Sequence, residues 1–135
     1  MAFWWQGAII FEENKMSLVQ ISSLVIGGVA GVLLRYFCLV SFVDQFFAIM
    51  VINIGGSFLA GMASLMCKNY YWCLFLLVGF LGSFTTFSTY ILQLIDLSKV
   101  NATKMIFYFV LTNGLSLISA YGGFFIARFL LLIFF

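Results

Sequence analysis

Long apolar runs broken by single charged positions dominate this chain. No charge occurs from Met16 to Leu34, and after Arg35 the apolar sequence continues to Val43. A second uncharged run goes from Gln45 to Cys67, a third from Asn69 to Ile95 and a fourth from Met105 to Ala127. A helix rising about 1.5 Å per residue crosses the hydrocarbon of a bilayer in about 20 residues. Each run reaches that length. Strands of a membrane β-barrel are about ten residues long and alternate in polarity, and that pattern is absent. In lipid, a helix satisfies its own backbone groups without a partner. The pattern predicts an all-α membrane protein with four transmembrane helices. Loops are expected near Asp44, from Lys68 to Tyr71, and from Asp96 to Lys104.

Composition supports this and narrows the chemistry. Hydrophobic residues make up 65% of the chain and charged residues 7%, against roughly 25% charged in a soluble domain. Its surface must therefore face lipid or another copy of itself. A net charge of +2 leaves no electrostatic footprint for nucleic acid. Without any histidine, the commonest general base and metal ligand is missing. With few carboxylates besides, no nucleophile–base pair can be assembled, so an enzyme is not expected. Cys38, Cys67 and Cys73 lack zinc-ligand spacing and read as lipid-facing or core thiols.

Residues 1–15 stand apart as an N-terminal extension to a four-helix channel domain spanning 16–135. The extension holds Trp4, Trp5, Glu12, Glu13 and Lys15 and lacks the positive n-region of a signal peptide. It reads either as an interfacial helix or as an artefact of start-site choice, because Met16 sits where helix one naturally begins.

Basic residues near helix ends set orientation. With four spans, Lys15, Lys68 and Arg128 share one side, and Arg35, Lys99 and Lys104 the other. That balance gives little preference either way. It reads either as mere scarcity of charge or as dual topology, with opposed copies pairing in the membrane.

Polar groups inside the spans are costly, and serve as glue between helices or as functional sites. Asn53 and Ser57 are four apart and share a face of helix two, with Gly56 and Gly61 close by. Tyr108, Thr112 and Ser116 repeat every four residues and form one hydroxyl stripe along helix four. The stripe serves either to bond neighbouring helices or as a polar track for a small ion. None of these groups titrates near pH 7, which suits a passive path better than a proton-coupled pump. Gly27 and Gly31 form a GxxxG pair suited to tight helix packing. Helix three holds Gly79 and Gly82 beside a run of hydroxyl and β-branched residues, a place where a membrane helix can break. A break frees backbone carbonyls that can hold a cation. Phe84, Phe87 and Tyr90 recur every three residues, so their rings are expected along one face, either packed in the core or with their positive edges turned to an anion.

Three motifs, one per helix, carry a resemblance. They are Gly27-Gly28-Val29-Ala30-Gly31 followed by Arg35-Tyr36, then Asn53-Ile54-Gly55-Gly56-Ser57-Phe58-Leu59-Ala60-Gly61, then Gly82-Ser83-Phe84-Thr85-Thr86-Phe87-Ser88-Thr89. In this order they resemble the Fluc-type (CrcB) fluoride channel family from about Ser22 to Arg128. The resemblance implies a passive, fluoride-specific channel in the bacterial cytoplasmic (inner) membrane that exports fluoride and lowers its cytoplasmic level. It implies an antiparallel dual-topology homodimer with two pores and a broken third helix. It places Asn53 along the pore, Phe87 and Tyr90 at the aromatic box positions, and Tyr108, Thr112 and Ser116 on the polar track. Arg35 matches the helix-one arginine, and the hydroxyl of Ser88 is a further candidate donor. The carbonyls of Gly82 and Thr85 from both subunits are implied to hold a structural sodium ion at the dimer centre. The implied partners are thus fluoride, a second copy and the lipid bilayer. Two positions depart from the family pattern: Tyr90 stands where phenylalanine is usual, and Ser83 where a second glycine is common. Two other readings of the chain stand beside this one, a small proton-coupled multidrug exporter and a non-transporting membrane subunit. The exporter requires a carboxylate within the membrane, whereas Asp44 and Asp96 fall at helix ends.

Overall fold

The computed structural model describes residues 17–67 and 69–134. The extension 1–15, Met16, Lys68 and Phe135 lie outside the described residues. Helix α1 runs Leu18–Ser41 and α2 runs Gln45–Met66. The third span begins with α3, Tyr70–Cys73, continues as a π-helical stretch, Leu74–Leu81, and then as α4, Gly82–Phe84. It resumes as α5, Phe87–Val100, and is followed by α6, Ala102–Phe134. Four segments are long and apolar enough to cross a membrane: Leu18–Ser41, Gln45–Met66, Tyr70–Val100 and Ala102–Ile133. Among the described residues there is no strand.

Local chemistry fixes the boundaries. Ser17 caps α1 in a reciprocal box with Gln20: Ser17 N–H donates to Gln20 Oε1 at 2.8 Å, and Gln20 N–H to Ser17 Oγ at 3.3 Å. Such a pair satisfies two of the donors that a helix start leaves free. Asp44 caps α2, accepting from Phe46 N–H at 2.8 Å. Asn69 caps α3 in the same way, through Tyr71 N–H at 2.9 Å.

One expected loop is not there. Residues 96–100 continue α5, and Asn101 alone separates it from α6. Charge within the segment supports a helix: Lys99 Nζ lies 3.0 Å from Asp96 Oδ1, three residues away, with both side chains exposed. Pairs at this spacing stabilise a helix surface. The charged residues had suggested a loop, but they decorate the wet end of a helix.

Close approach explains the α1 glycines. α1 packs along the π-helical stretch. A Cβ on Gly27 would run into the carbonyl of Phe75, and one on Gly31 into the carbonyl of Phe80. These obstacles are backbone and cannot swing aside, so the GxxxG pair serves the tight packing expected of it. α2 packs along α6 on the other side of the molecule. Ile49, Tyr90, Leu94 and Tyr108 form one buried cluster, and Ile52, Ala63, Leu81 and Phe84 another. Between these two clusters the third span changes direction.

Candidate functional site: a polar seam beside an extended turn in the third span

The third span leaves helical geometry at two threonines. Thr85 has φ −71° and ψ 154°, and Thr86 has φ −136° and ψ 107°. The expected segment held both glycines and hydroxyl residues; Gly79 and Gly82 are helical, and the interruption falls on the threonines. β-branched residues tolerate extended backbone well, and the freed groups here find partners. Thr86 N–H donates to Asn53 Oδ1 at 3.0 Å. Asn53 Nδ2 returns a bond to Thr86 O at 3.2 Å. The Thr86 side chain then caps α5, accepting from Thr89 N–H. Asn53 thus splints the turn from α2, and one of its two amide hydrogens stays free for another acceptor. A Cβ on Gly56, three residues along α2, would run into the Thr85 methyl, so a glycine is needed where α2 crosses the turn.

The splint has a consequence for the last turn of α4. Helical continuation would direct Thr86 N–H at Gly82 O, but Asn53 takes that donor. Thr85 N–H and Thr85 Oγ1 both bond to Leu81 O, at 3.0 Å each. The carbonyl of Gly82 is left without its helical donor, on an exposed residue. Carbonyl oxygens in this state are hard ligands suited to a cation such as sodium, so the residues present fit that ion.

The three rings expected on one face are dispersed. Phe84 is 7% exposed and stacks on Phe80, with centroids 6.0 Å apart. Phe87 is 76% exposed, and Tyr90 is 3% exposed. Two extended residues shift the helical phase between Phe84 and Phe87, so a spacing of three no longer means a shared face. Phe87 and Tyr90 remain neighbours, with centroids 6.5 Å apart, and Tyr90 lies 5.6 Å from the Tyr108 ring.

Tyr108, Thr112 and Ser116 form a buried line along α6. Tyr108 Oη is 2.7 Å from Gln93 Oε1 and 3.1 Å from Phe46 O, so its one hydrogen is committed. Thr112 Oγ1 and Ser116 Oγ are buried and have no hydrogen-bond partner among the described residues. This is unusual, because helical serines and threonines normally bond to a carbonyl one turn back. Ser23, Ser41 and Thr85 in this same chain do so. Burying a hydroxyl without a partner is costly, so these two are the polar groups of the seam whose bonding is incomplete.

The remaining expected residues are peripheral. Arg35 is half-buried and follows Gly27 and Gly31 at steps of four, on the α1 face that meets the third span. Ser88 is exposed one residue after Phe87. Three residues went unnoticed in the sequence. Gln93 joins Tyr108 to α2, donating to Gln45 O at 2.9 Å. Asn113 bonds to Tyr90, with Nδ2 2.6 Å from Tyr90 Oη. Ser119 donates to Ile54 O at 3.0 Å and pins α6 to α2. Asn113 is the sole amide side chain from Met105 to Ala127, which was the available signal.

Comparison with known proteins gives the family. Residues 22–124 match the family model described as CrcB-like protein, Camphor Resistance (CrcB). A Fluoride-specific ion channel FluC from Dichelobacter nodosus is 31% identical over 115 residues, covering 78% of this chain and 94% of that one. Fluoride-specific ion channel FluC 1 from Staphylococcus saprophyticus is 31% identical over 117 residues, covering 81% and 99%. The protein of the same name from Listeria monocytogenes serotype 4b is 35% identical over 112 residues, covering 78% and 95%. The matched region contains every residue of the polar seam, from Arg35 on α1 to Ser119 on α6, and the chain belongs to the CrcB-like protein family.

Proposed function

We propose that this chain is a passive fluoride channel of the bacterial cytoplasmic membrane, built from two opposed copies. The observation that carries this reading is the pair of buried, unpartnered hydroxyls, Thr112 Oγ1 and Ser116 Oγ. Fluoride is small and strongly hydrated, and it crosses lipid only if donors replace its water. Each hydrogen bond to a charged group nets about 1.5–3 kcal/mol, so several in sequence are required. The hydroxyls of Thr112 and Ser116, the free amide hydrogen of Asn53 and the hydroxyl of Ser88 supply them. These groups are neutral near pH 7, so the ion moves down its own gradient without proton coupling. Relatives named as fluoride-specific channels support the choice of ion.

The second copy follows from what one chain leaves uncovered. The exposed ring of Phe87 projects from its own protomer and reaches the path of the other. Near-equal basic charge on the two sides lets copies insert in both orientations. The interruption at Thr85–Thr86 acts as the break of the third helix. There the carbonyls of Gly82 and Thr85 from each copy hold a sodium ion, which fixes the two turns against each other.

Thr112→Val and Ser116→Ala test the reading. Among the described residues neither hydroxyl makes a hydrogen bond of good geometry, so both variants are expected to fold and purify as the parent does. Each is expected to slow fluoride efflux from proteoliposomes by about ten- to a hundredfold, the equivalent of one lost ionic hydrogen bond. Parental efflux from both variants would refute the role of the track.

A further inference from the structure

The hydroxyl of Tyr90 raises a question that the track does not answer. The ring is 3% exposed, and its oxygen needs a partner at that depth. The partner comes from α6. Asn113 Nδ2 lies 2.6 Å from Tyr90 Oη and 2.7 Å from Phe109 O. Tyr90 Oη in turn faces Phe109 O at 3.4 Å. The orientation of the amide is fixed by this geometry, because turning it over would press Asn113 Oδ1 against the Phe109 carbonyl. Both hydrogens of Asn113 are therefore committed, one to the tyrosine and one to the backbone. The tyrosine hydrogen has only the Phe109 carbonyl to face. Neither residue retains a hydrogen for a passing anion, so the extra hydroxyl is not an added donor. It is a tether.

We propose that Asn113 is a positioning residue that anchors the tip of the Tyr90 ring to α6 and thereby sets the width of the ion path. The inference rests on the fluoride-channel reading. A ring held only by packing rocks about its side-chain torsions, whereas one held at the tip is pinned at both ends. The pinned ring touches Tyr108 on one side and Phe87 on the other, at centroid separations of 5.6 and 6.5 Å. Releasing it loosens all three rings together. A looser path discriminates less well by size, and chloride is the larger ion.

The readout is the ratio of initial fluoride to chloride efflux from proteoliposomes. Fewer folded channels lower both rates alike, so a purely structural loss cancels in the ratio. Asn113→Leu removes the amide at similar volume, and Tyr90→Phe removes the hydroxyl at the same ring. Each is expected to lower the ratio by about three- to tenfold, the scale of one buried hydrogen bond. The double variant is expected to lower it no further than the more affected single variant, because both changes cut the same tether. Effects that multiply in the double variant, or ratios unchanged in both singles, overturn the proposal. Should Asn113→Leu not fold, Tyr90→Phe with a parental ratio overturns it alone. A parent that passes fluoride while the variants keep its ratio removes the tether and spares the channel. A parent that passes no fluoride removes both.

Discussion

At the scale of single residues, the seam combines groups whose bonding is complete with groups left short. Asn53 splints Thr86 through two bonds, Tyr108 is committed to Gln93 and Phe46, and Thr112 and Ser116 are unpartnered. The first two hold the geometry, and the last two lack a partner among the described residues. Asn53 belongs to both classes, because an amide nitrogen has two hydrogens and Thr86 uses one. Asn53→Asp separates this from a simple polar role. It places an oxygen where a nitrogen now donates to Thr86 O, so two acceptors meet at the turn and a negative charge enters the path. Fluoride efflux is expected to fall by at least about a hundredfold, because the lost bond and the charge act together. Efflux within twofold of the parent would show that the splint is dispensable. Asn53, Tyr108, Thr112 and Ser116 were legible in the sequence because polar residues are rare in these spans and recur at helical steps. Gln93 and Asn113 were overlooked because neither belongs to a repeat, although Asn113 stands out as the sole amide of its run. Their partners lie far along the chain, at Gln45 and Tyr90.

At the scale of elements, the four spans were legible because charges punctuate them, and their bounds agree closely with the uncharged runs. Two finer expectations failed for physical reasons. The segment from Asp96 onward was expected as a loop because charge and hydrophobicity do not separate a loop from a helix end in the headgroup layer. The rings of Phe84, Phe87 and Tyr90 were placed on one face by counting residues through Thr85 and Thr86, where the count loses its meaning. Glycine spacing served better, since Gly27 and Gly31 both face backbone carbonyls. Gly31→Leu is expected to destabilise the protein by about 1–3 kcal/mol or more, the cost of overpacking against atoms that cannot yield. Gly122→Ala is expected to be neutral or stabilising. A Cβ there meets nothing within 4 Å, and alanine favours a helix by up to about 1 kcal/mol. Unfolding midpoints in detergent titrations check both, and equal midpoints for the two variants would contradict the packing argument.

At the scale of the whole molecule, the chain presents an apolar exterior. Large apolar side chains are exposed along every span, among them Val29, Phe37, Phe107 and Phe125. Lipid covers such groups, and the proposed second copy would cover part of them. If, as proposed, the carbonyls of Gly82 and Thr85 from two copies hold a sodium ion, exchanging sodium for a large organic cation is expected to lower the thermal midpoint of the purified protein, by the linkage between ion binding and folding. An unchanged midpoint would remove the ion from the account. The two carboxylates among the described residues offer little to a proton-coupled exporter, since Asp44 caps α2 and Asp96 pairs with Lys99 at an exposed helix end. The central claim is that neutral donors carry a small halide through the bilayer. Its most direct test is anion efflux from liposomes holding the purified chain, followed separately for fluoride and chloride after the membrane potential is collapsed. Rapid loss of fluoride with chloride held at the protein-free rate is the predicted result. Fluoride retained as in empty liposomes, or chloride lost as fast as fluoride, would contradict it.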